Sequence, residues 1–153
     1  MRFLAVDTPF GAMGLTEEDG ALTRLALPGE LGGAWDDPSP LLLAAAAELR
    51  AYFAGELHAF KTPLNPRGTD FQRKAWHALV DIPYGRTATY GELAARLGAP
   101  KAARAVGLAN NRNPIAIFIP CHRVVGADGS PTGYRGGLDM KRRLLALEQG
   151  APL

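Results

Sequence analysis

The chain's only cysteine stands beside two basic side chains, in the segment IPCHRVV at residues 119–125. Pro120 ends an apolar run, so Cys121 is predicted at a break between elements rather than inside one. His122 could accept the thiol proton, and Arg123 adds a fixed cation that would favour the nucleophilic thiolate. A lone cysteine is also commonly a small buried hydrophobe. Local chemistry leaves both the catalytic and the structural interpretation open.

The composition restricts the kind of protein that can carry this cysteine. The chain has 153 residues, of which 47% are hydrophobic and 21% charged, values typical of a globular domain and not of disordered, collagen-like or coiled-coil chains. One cysteine excludes an internal disulfide, and three widely spaced histidines add no ligand cluster, so we expect no metal. Without a signal sequence or an apolar run of about 20 residues, we expect a cytoplasmic protein that does not contact membranes.

Charge divides the chain into an acidic half and a basic half. Residues 1–66 carry four basic and nine acidic side chains, whereas residues 67–153 carry thirteen basic and six acidic ones. The net charges of −5 and +7 favour a polyanionic partner for the second half. Many chains have an uneven charge distribution that serves no function. The charge difference alone therefore leaves nucleic-acid binding as one of two interpretations.

Turn and capping signals place elements in the first half. The segment EDG at residues 18–20 predicts a hairpin between two short strands within residues 2–27. Residues 28–40 are rich in Gly, Pro and Asp, which is typical of a loop. Ser39 before Pro40 predicts a helix start, and that helix should end near Gly55. The segment KTPLNPRG at residues 61–68 is the best linker candidate, which predicts domains at 1–66 and 67–153.

The second half has stronger helix signals. Two capping boxes, TDFQ at residues 69–72 and TYGE at residues 89–92, predict helix starts. Pro100 should begin a further helix through about Asn110, which gives a helix-turn-helix pattern that short helix pairs in other folds also show. The apolar residues 115–119 predict a buried strand or extended segment, and residues 124–134 predict a loop or irregular hairpin. Residues 138–149 predict an amphipathic helix, and Trp35 and Trp76 are assigned to packing.

Three stretches of the second half carry a resemblance to a known family. They are GTDFQRKAWHALVDIPYGRTATYGELA, PKAARAVGLANNRNP and RNPIAIFIPCHRVVGADGSPTGYRGGLDMKRRLLALE. In order and spacing they resemble the O6-alkylguanine-DNA alkyltransferases, whose signature is the PCHRV core. The resemblance implies an α+β fold, in which a small N-terminal α/β domain precedes a mostly helical, winged-helix-like DNA-binding and catalytic domain.

The resemblance also implies roles for individual residues. Cys121 matches the alkyl acceptor, and His122 matches the base that deprotonates the thiol through a water. Glu148 matches the carboxylate that orients the imidazole, Asn113 the brace of the active-site turn, and Tyr90 the tyrosine near the flipped nucleotide. The positions matched to DNA binding and to the base pocket are Arg104, Ala102, Ala103, Ala105, Tyr90 and Arg112 for DNA, and Tyr134, Val124, Arg135 and Asn110 for the pocket.

The implied activity is direct reversal of DNA damage. The Cys121 thiolate would take the alkyl group of O6-alkylguanine from double-stranded DNA irreversibly, once per molecule, with no cofactor and as a monomer. Arg104 would fill the duplex after the base rotates out. The leading alternative is a non-catalytic, alkyltransferase-like or winged-helix protein that binds lesions, and a cysteine hydrolase is a weaker one. Salt-sensitive DNA binding is expected of the first two, whereas the transferase alone requires Cys121.

Overall fold

A computed structural model describes residues 1–33 and 35–153. Helices and short strands alternate in it, with a three-stranded sheet first and most of the helices after it. The elements are β1 (Arg2–Thr8), β2 (Gly11–Glu18), β3 (Ala21–Ala26), α1 (Pro40–Phe53), α2 (Asp70–Val80), β4 (Ala88–Thr89), α3 (Tyr90–Arg96), α4 (Ala103–Asn111), a 3₁₀ helix (Cys121–Arg123), β5 (Val124–Val125) and α5 (Leu138–Leu147). This arrangement confirms the predicted α+β fold class.

The first three strands form an antiparallel sheet in the order β1-β2-β3. Asp19 and Gly20 join β2 to β3 with positive φ angles of 52° and 78°, the backbone of a type I′ turn. The hairpin predicted from the sequence is therefore confirmed. The sequence did not assign β1, which pairs with β2 along its whole length.

Helix α1 covers this sheet by packing against β1 and β2. Its start is confirmed, because the Ser39 hydroxyl accepts a hydrogen bond from the Leu42 N–H at 3.1 Å and Pro40 occupies the first turn. The helix ends at Phe53, and Gly55 follows it with a φ of 78° that glycine adopts without strain. Its buried face carries aliphatic residues and, at its last turn, the fully buried Tyr52.

The helices of the second half begin largely where the local signals predicted. Both capping boxes are present, with Thr69 and Thr89 as the N-caps of α2 and α3. Helix α4 packs against both α2 and α3, which gives the helix-turn-helix pair. Trp76 on α2 is buried and donates its indole N–H to the Ala109 carbonyl at 2.8 Å. Its assignment to packing is confirmed, whereas that of Trp35 is wrong, because Trp35 is 91% exposed.

Helix α4 starts later than predicted. It begins at Ala103 rather than Pro100, and Ala102 is its N-cap with φ −97° and ψ 23°. The Ala102 N–H bonds to the Ala99 carbonyl at 2.8 Å, so Pro100 lies in a turn. No side chain caps this end, which removes the signal that located the other helix starts.

The apolar residues 115–119 do not form the predicted extended strand. They fold back on themselves, because the Phe118 and Ile119 N–H groups donate to the carbonyls of Ala116 and Ile115, both at 2.9 Å. Ile117 has a φ of 75°, which is unfavourable for a β-branched side chain. The segment is completely buried, as predicted. Its reversal returns the chain toward Asn113 just before Cys121.

One hydrophobic core draws on both halves of the chain. An isolated backbone bridge between Leu25 and Ile115 joins the two halves, and another between Leu22 and Leu64 lies within the first half. The division into domains at residue 66 stays a prediction. Across the described residues, no helix is both long and apolar enough to cross a membrane.

Candidate active site

Cys121 opens the 3₁₀ helix and is 4% exposed. The preceding turn is fixed by the buried amide of Asn113, which donates to the Ile119 carbonyl at 2.8 Å and accepts from the Ile115 N–H at 3.0 Å. Asn113 thus holds both ends of the turn that precedes Cys121. The cysteine backbone is therefore set before any ligand binds.

A narrow cavity lies in front of the cysteine, and most of the predicted base-pocket residues line it. The lining residues are Leu27, Asn110, Asn111, Asn113, Ala116, Cys121, Tyr134 and Arg135. Tyr134 Oη and Asn110 Oδ1 are buried there without a hydrogen-bond partner among residues 1–33 and 35–153. They leave a donor and an acceptor available to a polar ligand. Leu27, at the end of the sheet region, was not predicted.

Val124, Arg135 and the amide nitrogen of Asn110 have protein partners, the last of them donating to the Cys121 carbonyl at 3.3 Å. Val124 lies on β5, outside the cavity lining, and its carbonyl accepts from Lys141 Nζ at 2.5 Å. The guanidinium of Arg135 forms an ion pair with Glu30 at 3.0 Å and donates to the Asn113 carbonyl at 3.1 Å. Arg135 thereby connects the loop after β3 to the active-site turn.

His122 is fully buried, and its two ring nitrogens have different surroundings. Nε2 lies 2.6 Å from Oε2 of Glu148, whereas Nδ1 has no partner within the described part of the chain. Burial lowers the pKa of His122, which favours the neutral ring despite the nearby carboxylate. The geometry then assigns the proton to Nε2, which donates to Glu148. Nδ1 is left as a lone-pair acceptor, as a general base requires.

Glu148 accepts hydrogen bonds from several elements at the end of α5. Besides His122, its donors are Arg123 through Nε at 2.8 Å and Nη2 at 3.1 Å, the Gly85 N–H at 3.2 Å, and Tyr52 Oη at 2.5 Å. Burial alone would raise the pKa of Glu148, but the bonds from His122, Arg123 and Tyr52 outweigh it and lower the pKa to about 2. Glu148 is therefore an anion at neutral pH.

Arg123 does not have the position that the sequence suggested. Its guanidinium binds Glu148 and the Ile82 carbonyl, the latter at 2.6 Å, rather than approaching the thiol. Burial raises the pKa of Cys121, while Asn113, Arg135 and Lys141 partly oppose that shift. The resting cysteine is therefore a thiol, and forming the thiolate requires a base.

Tyr90 and Lys141 meet at one backbone carbonyl. Tyr90, the first residue of α3, donates its hydroxyl to the Thr132 carbonyl at 3.2 Å. Lys141 donates to the same carbonyl at 2.6 Å, to Gly133 at 3.3 Å and to Val124. Burial lowers the pKa of Lys141 to about 8. Lys141 was not predicted from the sequence, although it lies on the same face of α5 as the buried Leu144, which was a usable signal.

The predicted DNA-binding residues lie on and around α4. Arg104 and Ala105 are exposed on the helix, Arg112 is exposed at its C-cap, and Ala102 and Ala103 are half-buried at its start. Neither arginine makes an ion pair with any residue that the structure describes. Two free cations beside small side chains suit a close approach to phosphates.

The described residues hold no group of three or more His, Cys, Asp and Glu side chains that could bind a metal ion.

This chain is similar to known proteins in both sequence and fold. Residues 70–150 match the family model described as 6-O-methylguanine DNA methyltransferase, DNA binding domain. Methylated-DNA–protein-cysteine methyltransferases of Mycolicibacterium paratuberculosis and Methanosarcina barkeri are 50% and 49% identical over 97% of this chain, covering 93% and 98% of the relatives. The crystal structure of Mycobacterium tuberculosis OGT in complex with DNA superposes with a TM-score of 0.91 at 49% identity, covering 99% of this chain and 96% of that one.

The fold and the site together define a DNA-binding protein with a buried cysteine as its reactive group. The chain belongs to the family of methylated-DNA–protein-cysteine methyltransferases. It is thus a direct-reversal repair methyltransferase, and the comparisons do not favour the non-catalytic alternative.

Proposed function

We propose that the chain removes the alkyl group from O6-alkylguanine in double-stranded DNA and retains it on Cys121 Sγ. The arrangement of His122 supports this proposal most directly. Nδ1 of the residue next to the only cysteine is free of hydrogen bonds from residues 1–33 and 35–153, while its Nε2 is hydrogen-bonded to an anionic carboxylate that is excluded from solvent. This is the pairing of nucleophile, base and orienting group that an activated thiol requires.

The reaction begins with proton transfer. The Cys121 thiol proton passes to His122 Nδ1 through a water molecule, as the resemblance implies, and Glu148 stabilises the resulting imidazolium. The thiolate attacks the alkyl carbon, so that the S–C bond forms as the C–O6 bond breaks. The bonding electrons remain on guanine. Tyr90 donates a proton to the departing base, and the proton held by His122 returns to Tyr90 through solvent, so both residues end in their starting protonation states.

Access to the alkyl group requires the base to leave the DNA stack. Cys121 is almost entirely buried, and its cavity is narrow, so a stacked base cannot reach it. Arg104, exposed on α4, would fill the space that the base vacates. The Tyr134 hydroxyl and the Asn110 side-chain oxygen, which have no hydrogen-bond partner in the described part of the chain, would then bind the rotated base.

The product limits each molecule to one reaction. S-alkylcysteine is a thioether with no simple route back to the thiol, and the alkyl group comes from the DNA, so the atoms balance without a cofactor. The resemblance implies a monomer, and we propose that the protein acts as one, which sedimentation of the DNA complex would test.

The experiment is a titration of a duplex that carries one O6-methylguanine. After incubation the DNA is digested and its nucleosides are quantified. The proposal predicts loss of one O6-methylguanine per protein molecule, then no further loss, and none with Cys121→Ser. Binding of the duplex without any loss of O6-methylguanine would contradict it and favour the lesion-binding alternative.

A further inference from the structure

Tyr52 brings the first half of the chain into the His122–Glu148 pair. It lies in the last turn of α1, is fully buried, and its Oη is 2.5 Å from Glu148 Oε2 and 3.3 Å from His122 Nε2. Tyr52 and Glu148 are 96 positions apart in sequence. The Tyr52 hydroxyl takes no part in the proposed steps of alkyl transfer, and no pattern in the sequence predicted its position.

The direction of the hydrogen bond follows from the charges. Glu148 is ionised and can only accept, and burial next to this anion raises the pKa of Tyr52 far above its usual value. Tyr52 therefore donates to Oε2. His122 donates to that same oxygen at 2.6 Å, and Arg123 Nη2 lies 3.1 Å from it. One carboxylate oxygen is thus shared among three donors.

Sharing an oxygen weakens its attraction for each proton. After Cys121 gives up its proton, His122 is an imidazolium whose Nε2 proton points at Glu148. An unshared oxygen would bind that proton more strongly and make His122 a stronger base. The bonds from Tyr52 and Arg123 occupy lone pairs of Glu148, which disfavours protonation of the carboxylate and fixes its orientation.

We propose that Tyr52 is a positioning residue of the transfer reaction: its hydroxyl shares Glu148 Oε2 with His122, restrains the carboxylate and tunes how strongly His122 holds the abstracted proton. This inference rests on the proposed function and extends it. The N-terminal sheet-and-helix region supplies part of the catalytic apparatus, besides packing against the rest.

Several other charged and titratable groups surround His122 and Glu148, and one of them provides a control for a test. The charged and titratable groups near His122 and Glu148 are Tyr52 on α1, His58 after α1, Tyr84 after α2, Cys121 and Arg123 on the 3₁₀ helix, and Lys141 on α5. His58 stacks on the Tyr84 ring at 3.9 Å, so its ¹⁵N signals have to be assigned separately from those of His122. Tyr84 offers a matched control. Its ring packs edge-on to Tyr52 at 6.2 Å, but its hydroxyl lies 3.5 Å from the Leu147 carbonyl and makes no bond to Glu148.

The test compares Tyr52→Phe and Tyr84→Phe with the unaltered protein. Histidine side-chain ¹⁵N shifts of the free protein, measured as a function of pH, give the titration midpoint of His122. Single-turnover rates on an O6-methylguanine duplex give a second midpoint, the pH below which the transfer rate falls to half its maximum. Tyr52→Phe should move both midpoints to higher pH by about half to one pH unit, because a bond to a charged group is lost. Tyr84→Phe should leave both unchanged.

The two proposals fail in different ways. If Tyr52→Phe leaves the His122 midpoint where it was while the unaltered protein transfers normally, Tyr52 only packs, and the inference about it is overturned. If the unaltered protein does not transfer at all, the proposed function fails. The NMR midpoint still decides in that case whether Tyr52 tunes the histidine.

Discussion

His122 and Glu148 lie 26 residues apart in sequence, yet Nε2 of the first is 2.6 Å from Oε2 of the second. Both side chains are excluded from solvent, at 0% and 1% exposure. Their bond determines which imidazole nitrogen faces away as the base. It also ties the end of α5 to the 3₁₀ helix that carries Cys121.

Replacing Glu148 by Gln should impair both reaction and stability. The buried Arg123 would lose its counter-ion, and removing one partner of a buried pair costs about 3–5 kcal/mol. The His122 tautomer would no longer be fixed, so we expect the single-turnover rate to fall by about two orders of magnitude or more. Glu56→Gln, a change of the same type at an exposed carboxylate, is the control for urea unfolding and transfer kinetics. Equal rates for the two variants would contradict the assignment.

Lys141→Met should loosen the loop between β5 and α5. Its ammonium donates to three carbonyls, those of Val124, Thr132 and Gly133, and losing these bonds inside the protein should cost about 1–3 kcal/mol each before relaxation. We expect a lower Tm and faster amide exchange in residues 126–133. Lys74→Met, at an exposed position on α2, controls for the loss of charge. Unchanged exchange in the loop would show that Lys141 does not hold it.

Arg104→Ala should slow transfer from duplex DNA by about tenfold or more, because the space left by the rotated base would stay empty. Transfer from the free base O6-methylguanine, which needs no rotation, should be unaffected. The ratio of the two rates is the measurement, and Arg50→Ala on α1 is the control for an exposed cation. An equal loss of rate on both substrates would indicate a defect in the reaction step instead.

Acid should destabilise the protein in two stages. The pKa of folded His122 lies below its ordinary 6.5, so the unfolded chain binds the proton more tightly, and stability falls as the pH drops below 6.5. The pKa of Glu148 is lowered from 4.5 to about 2, so its contribution is complete above 4.5 and is lost as the pH falls toward 2. Urea unfolding at a series of pH values measures both. His122→Gln should remove the loss of stability below pH 6.5. His77→Gln, a change of the same type at an exposed position, should retain it. A free energy of unfolding that stays constant from neutral pH to pH 4 would contradict the assignment of the first stage to His122.

Capping residues in the sequence predicted the starts of those helices that a side-chain cap begins. Ser39, Thr69 and Thr89 each form a side-chain cap, and each marked a helix start correctly. Helix α4 has no such cap, and its start was placed three residues early. The apolar residues 115–119 resemble a strand in composition, but bonds to the Asn113 side chain and a positive φ at Ile117 turn them back. No periodicity in the sequence encodes that reversal.

Only the site residues in the second half of the chain, where the resemblance is close, were predicted from the sequence. Cys121, His122 and Glu148 lie in its best-matched stretch, and the structure brings them to one place. Tyr52 and Leu27 come from the first half, where the resemblance is weak, and they reach the site through tertiary packing alone. Arg123 was adjacent to the cysteine in sequence, yet the 3₁₀ helix directs its side chain to Glu148 instead.

The most direct test of alkyl transfer to Cys121 is the intact mass of the protein after incubation with a duplex carrying one O6-methylguanine, followed by peptide mapping. We expect that each chain gains one methyl group and no more, that the methyl lies on Cys121, and that Cys121→Ser gains none. A protein that binds the duplex but keeps its original mass, with its thiol still free under reducing conditions, would show that Cys121 is not an alkyl acceptor.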